Sequence, residues 1–225
     1  MRKIFQFSFL QESEKAKIVE KLIEESRMDK GYFLMLVISS SIITIGLVVG
    51  QISIVIGGML IAPLLFPVLS LGLALSTVSL KGCKRAIIGI FISTAVVIAT
   101  SYLVSNLLEG AEFRGYEIII GLRPSFLSFL IATLSGIAAA YSWLKKNVSV
   151  ILPGVAIAVT LVPPLCATGI ALAVHNSYFL KNFFELYFLN LLGVVLASML
   201  VFFFTGFTKV KKAEKAALEK EEKVE

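Results

Sequence analysis

The chain has 225 residues, of which 57% are hydrophobic and only 16% charged, with a mean hydropathy of +0.91. Soluble domains carry about a quarter charged residues, and no soluble fold of this length hides so much apolar surface. The net charge of +6 does not indicate a nucleic-acid partner, because the positive residues bracket apolar stretches instead of forming a patch.

Residues 1–30 are charged and polar, so there is no apolar h-region there and no cleavable signal peptide is expected. Within them Ile18, Leu22 and Ile23 share one helical face among Glu and Lys. Such a helix lies in the membrane interface, caps the mouth of a bundle, or packs on it. Charge-free apolar stretches follow at 31–50, 52–80, 86–105, 125–144, 148–174 and 186–207. A spanning helix needs about 20 apolar residues. The expected fold is an all-α polytopic membrane protein with six transmembrane helices. A first three-span unit covers 31–105 and a second covers 125–207, separated by an extracytoplasmic loop at 106–124. A charged tail at 208–225 reads as a solvated continuation of the last span, its early lysines suited to anionic headgroups.

Placing the N-terminus in the cytoplasm puts 1–30, 81–85, 145–147 and 208–225 on that side, with 18 of the 21 Lys and Arg. The outer side keeps Arg114, Arg123 and Lys181, diluted by Glu109, Glu112, Glu117 and Glu185. The positive-inside rule therefore predicts a multi-pass protein of the cell (inner or plasma) membrane with both termini cytoplasmic. Cys83 lies in a basic loop and Cys166 within a span, so no disulfide framework is implied.

Segments 51–75 and 147–171 align without gaps at an offset of 96 residues. Ser53, Gly58, Ile61, Ala62, Leu65, Pro67 and Leu69 fall on Ser149, Gly154, Ile157, Ala158, Leu161, Pro163 and Leu165, 7 identities in 25 positions. The echo extends to Phe33, Leu34 and Ser39 on Phe129, Leu130 and Ser135. An odd number of spans per unit makes such a repeat inverted. Pro63 and Pro67 in one copy, and Pro153 and the pair Pro163–Pro164 in the other, predict interrupted second and fifth helices. Broken helices at corresponding positions of inverted halves point to a transport site near the bilayer midplane, although membrane helices also tolerate proline and glycine purely for packing.

Half-helix ends at such a site offer backbone amides to an anion and carbonyls to a donor. The small residues Gly58, Ala62, Gly154 and Ala158, with Pro63, Pro67, Pro163 and Pro164, define the two breaks. Ser39, Ser40 and Thr44 in the first span, Thr133 and Ser135 in the fourth, Ser70, Thr160 and Thr168 beside the breaks, and Asn190 in the sixth supply the polar lining. The alternative for each hydroxyl is a bond back to a carbonyl one turn earlier. No Asp, Glu or His lies within a span, and His175 sits at an outer helix end. The sequence offers no catalytic residues, metal-ligand set or cofactor motif, so an enzyme is not expected.

The stretches VIGGMLIAPLLFPVLSLGLALS, EIIIGLRPSFLSFLIATLSGIAAAY and PGVAIAVTLVPPLCATGIALA, with the pair Arg123–Pro124, resemble the hallmark segments of the bacterial and archaeal membrane family called domain of unknown function 389. The resemblance covers about positions 30–205 and implies a polytopic membrane protein without naming a substrate. The expected function is a transporter or channel for a small polar or anionic solute, embedded in lipid and homo-oligomeric, with no nucleic acid. A non-transporting membrane scaffold or assembly protein is the other reading.

Overall fold

The computed structural model describes residues 11–108, 121–144 and 151–222, apart from the side chains at 151–156, 159, 209, 211–213 and 220–222. Regular structure among the described residues is helical throughout: α1 (Glu12–Glu25), α2 (Lys30–Val49), α3 (Ile52–Met59), α4 (Leu65–Thr77), α5 (Leu80–Leu107), α6 (Phe126–Leu144), α7 (Ile151–Ala173), α8 (Ser177–Phe204), a 3-10 turn (Phe207–Val210) and α9 (Lys211–Glu222). Pro153 and the surroundings of Gly154 lie outside the described side chains.

Capping residues set several starts. Asp29 accepts from the Tyr32 amide at 2.7 Å, Ser79 from the Gly82 amide at 3.1 Å and Asn176 from the Phe179 amide at 3.1 Å. Gly50, at φ 79°, closes α2 in the left-handed region and reverses the chain. Helix α3 therefore runs back along α2, with Gly46 against Val55 and Gly58 against Ile43 and the Ser39 carbonyl.

Four helices among the described residues, α2, α5, α6 and α8, are long and apolar enough to cross a membrane, with 20, 28, 19 and 28 residues. Helix α4 and the stretch 160–173 of α7 are shorter apolar segments. Helix α8 is central to the packing, lying against α4, α6 and α7, while α5 packs on α2, α4 and α7. The core between them is apolar, with Leu36, Ile43, Leu69, Val97, Leu161, Leu165 and Phe202 fully buried.

The proline expectations divide. The second apolar segment is interrupted, but around Pro63: α3 ends at Met59 and α4 starts at Leu65. The amides of Ile61 and Ala62 bond only three residues back, at 3.2 and 3.3 Å, which tightens the chain into the turn. Pro67 does not start a half-helix. It is the third residue of α4, where first-turn amides have no intrahelical partner and proline is tolerated. The fifth segment is not interrupted at all: α7 is one continuous helix with Pro163 and Pro164 inside it.

The segments flanking the bundle differ from expectation on one side. Val19, Leu22 and Ile23 of α1 are buried, so its apolar face packs on the protein. The Trp143 indole donates to the Ile18 carbonyl at 3.4 Å and meets Phe66 edge-on at 5.7 Å between centroids. The tail is no straight continuation of α8. Gly206, at φ 78°, and the 3-10 turn bring α9 back against α1. Lys15 Nζ donates to the Gly206 carbonyl at 3.1 Å and lies over the Phe207 ring. The buried Glu214 carboxylate accepts a short hydrogen bond from Thr77 Oγ1 at the end of α4. Phe207 and Leu218 are also buried, so apolar area stabilises the fold-back alongside the Glu214 bond despite the polar composition of the tail. Glu214→Ala removes the anchor and should accelerate tryptic cleavage within α9 by about tenfold, consistent with ~1–3 kcal/mol for a lost buried charged hydrogen bond; unchanged digestion would show that the carboxylate does not hold the helix.

Candidate functional site

The hydroxyls form two groups by where they bond. Ser40 donates to the Leu36 carbonyl at 2.8 Å, Thr44 to Ser40 at 2.7 Å, Thr133 to Phe129 at 2.8 Å and Ser135 to Ile131 at 2.9 Å. Thr160 donates to Ile157 at 2.9 Å and Thr168 to Pro164 at 2.7 Å. These six are tied to their own helices, the usual fate of Ser and Thr in apolar helices. Ser41, beside them in α2, does the same toward Val37.

Three residues reach across. Ser39 Oγ donates to the Gly58 carbonyl at 2.8 Å, satisfying an acceptor near the C-terminal end of α3, just before the break. Ala62 and Pro63 sit half-buried in the break itself, while Pro67 is buried beside Gly89. Ser70 is displaced from the expected lining. It bonds Ser26 Oγ at 3.1 Å, and Arg85 donates to the same oxygen at 2.8 Å and to the Ile23 carbonyl at 3.1 Å. Arg85 thus binds the C-terminal end of α1, where a cation is favoured by the helix dipole.

Asn190, midway along α8, explains why α7 stays whole. Pro164 has no amide, so the carbonyl four residues before it, that of Thr160, loses its helical partner. Asn190 Nδ2 donates to that carbonyl at 2.8 Å. A neighbouring helix has replaced the missing donor, which is how proline survives in a helix surrounded by apolar groups. Val162, Leu165 and Cys166 around the pair are fully buried, and Ala158 is buried a turn and a half earlier. The cap uses only the donor half of the amide. Asn190 Oδ1 is buried and has no hydrogen-bond partner among the described residues.

The structure therefore brings Thr160 of α7 to Asn190 of α8, with Pro163, Pro164 and Thr168 following along α7. Cys166 links this group to α2, its thiol 3.8 Å from the Ser40 carbonyl. Ser39 and Gly58 form a second group at α2–α3, and Thr133 lies on the α6–α8 seam beside Gly193. Ser101 does not stand out in the sequence; its hydroxyl is also buried without a hydrogen-bond partner among the described residues, in α5 against Gly169 of α7. Its only sequence signal is a serine inside an apolar stretch, which it shares with residues that are bonded.

The described residues form an all-helical bundle in which four helices are long and apolar enough to cross a membrane, with one apolar segment broken at a proline and another held continuous by an amide. The chain belongs to the family described as Domain of unknown function (DUF389), whose match covers residues 59–196. An uncharacterized protein of Methanocaldococcus jannaschii, MJ0678, is 28% identical over 204 residues, which is 86% of this chain and 62% of that protein. The chain therefore spans less than two thirds of that relative's length. No solved structure matches it.

Proposed function

We propose that the chain is an integral membrane transporter or channel for a small polar or anionic solute. In this reading it makes six crossings: α2, α3 continued by α4, α5, α6, α7 and α8. The halves α2–α5 and α6–α8 are inverted copies, and both termini lie in the cytoplasm of a cell membrane, where 18 of the 21 Lys and Arg then fall. The chain works as a homo-oligomer and is not an enzyme.

One observation carries the proposal. Asn190 Oδ1, buried at mid-helix, has no hydrogen-bond partner among the described residues and lies beside a backbone that carries two prolines. Leaving such an oxygen unpaired costs about 1–3 kcal/mol, and a group retained at that cost is a candidate to bond something that passes. An acceptor favours a donor-bearing solute, so neutral polar molecules rank ahead of anions. One observation favours the scaffold reading instead: Leu161, Val162, Leu165, Cys166 and Ala167 seal the middle of α7 completely.

Proteoliposomes carrying the full chain should shrink and reswell in stopped-flow light scattering with urea or glycerol faster than protein-free vesicles. Asn190→Ala should lower that flux about tenfold. Potassium nitrate with valinomycin tests the anionic arm. Flux equal to protein-free vesicles for all three probes would favour the scaffold and end the transport reading.

A further inference from the structure

A groove of about 580 Å³ lies between α5 and α8 with Leu71 of α4 at its floor. Ile87, Phe91 and Ile98 form one wall, Phe184 and Phe188 the other. It opens outward, since Phe91 is 73% and Phe188 59% exposed. Its two polar side chains satisfy each other, because Thr94 Oγ1 and Tyr187 Oη share a hydrogen bond of 2.7 Å. An occupant thus meets a hydrocarbon surface with no polar demand.

We propose that this groove holds one acyl chain of an anionic phospholipid whose headgroup is bound by Lys84. From Ile87 to Ile98 the groove runs about 16 Å along the helix, close to the ~15 Å hydrocarbon depth of one leaflet.

The ends of the groove differ in charge, and that selects the headgroup. Lys84 lies one turn before Ile87 on the same face of α5, exposed, with no ion pair among the described residues. Arg85, next to it, is turned away onto Ser26 and Ile23. At the other end Lys181 precedes Phe184 on α8, but its charge is offset by Glu185 at 3.7 Å. Among the described residues, only the Lys84 end presents a cation without an ion pair, which attracts a phosphate. With the orientation proposed above, that end lies in the cytoplasmic leaflet; the lipid site itself does not depend on solute transport.

The full chain, reconstituted in vesicles of equal parts phosphatidylglycerol and phosphatidylcholine and extracted into mild detergent, should retain one phosphatidylglycerol per chain in native mass spectrometry. Lys84→Gln should keep a bound lipid but lose about fivefold in preference for phosphatidylglycerol, the ratio corresponding to ~1 kcal/mol per headgroup-level lysine. Lys181→Gln should leave the preference unchanged. Ala95→Trp, which fills the exposed groove, should retain no lipid. Equal retention of both lipids by the wild type, or lipid still held by Ala95→Trp, would overturn the assignment. So would a wild-type dimer that Ala95→Trp converts to monomer, which would place a second copy in the groove.

Discussion

Gly136→Leu destabilises the bundle by ~3 kcal/mol, the upper part of the range for overpacking. A Cβ at Gly136 would stand 2.7 Å from the Val194 carbonyl oxygen and 2.9 Å from Val194 Cα. Both are backbone atoms of α8, which cannot rotate aside as a side chain can, so α6 and α8 must separate. That seam has glycine on both sides, since Gly193 of α8 faces Phe129 and Thr133 of α6. Close approach through small residues is how helices gain packing energy where lipid supplies no hydrophobic drive. Gly57→Ala is the internal control. A methyl group added there on α3 would meet nothing within 4 Å, and exchanging Gly for Ala in a helix gains up to ~1 kcal/mol. Thermal melting of the purified protein in detergent reads both. Similar midpoints for the two variants would show that the α6–α8 seam is looser than described.

Asn190→Leu costs ~1–3 kcal/mol, because it leaves the Thr160 carbonyl buried without a donor. The cause is specific and can be isolated. Pro164→Ala restores an amide at the position that normally bonds Thr160, so the same Asn190 substitution made in that background should cost less by at least ~1 kcal/mol. Additive effects in this double-mutant cycle would mean that Asn190 does not substitute for the proline's missing donor. The same cycle separates the structural half of the amide, Nδ2, from the unpaired Oδ1 on which the transport proposal rests. Asn190→Leu removes both, whereas urea or glycerol flux in Pro164→Ala vesicles tests whether the cap itself is needed for passage.

Much of the architecture is legible from residue patterns. The charge-free runs at 31–50 and 125–144 place α2 and α6 to within a residue, but α5 and α8 start six and nine residues before the runs at 86 and 186, at the caps Ser79 and Asn176. The buried face of α1 is visible in the spacing of Ile18, Leu22 and Ile23. The fate of each proline is not. Pro63, Pro67, Pro163 and Pro164 look alike in sequence, yet one lies in a break, one sits harmlessly in a first turn, and two lie in an unbroken helix. Which occurs depends on whether a partner helix can supply the lost donor, and Asn190 is 26 residues beyond Pro164 in the chain. The hydroxyls are equally ambiguous: Ser39 and Ser40 are neighbours, but one bonds across to α3 and the other to its own helix. The folded-back tail escapes a sequence reading because its alternating Lys, Ala and Glu conceal single apolar anchors at Phe207 and Leu218 and a buried carboxylate at Glu214.

By itself the sequence determined that this chain is rich in apolar helices, several long enough to cross a membrane, since apolar content is a bulk property of composition and run length. It also placed α2 and α6, because an unbroken apolar run limits where a helix lies, whereas α5 and α8 extend past their runs to the caps Ser79 and Asn176. Only the tertiary structure decided which carbonyls freed by proline were rescued, which serine reached a neighbouring helix, and where an apolar groove was left open. Those outcomes turn on hydrogen-bond geometry between segments far apart in the chain, and a hydrogen bond is made or lost within a few tenths of an ångström.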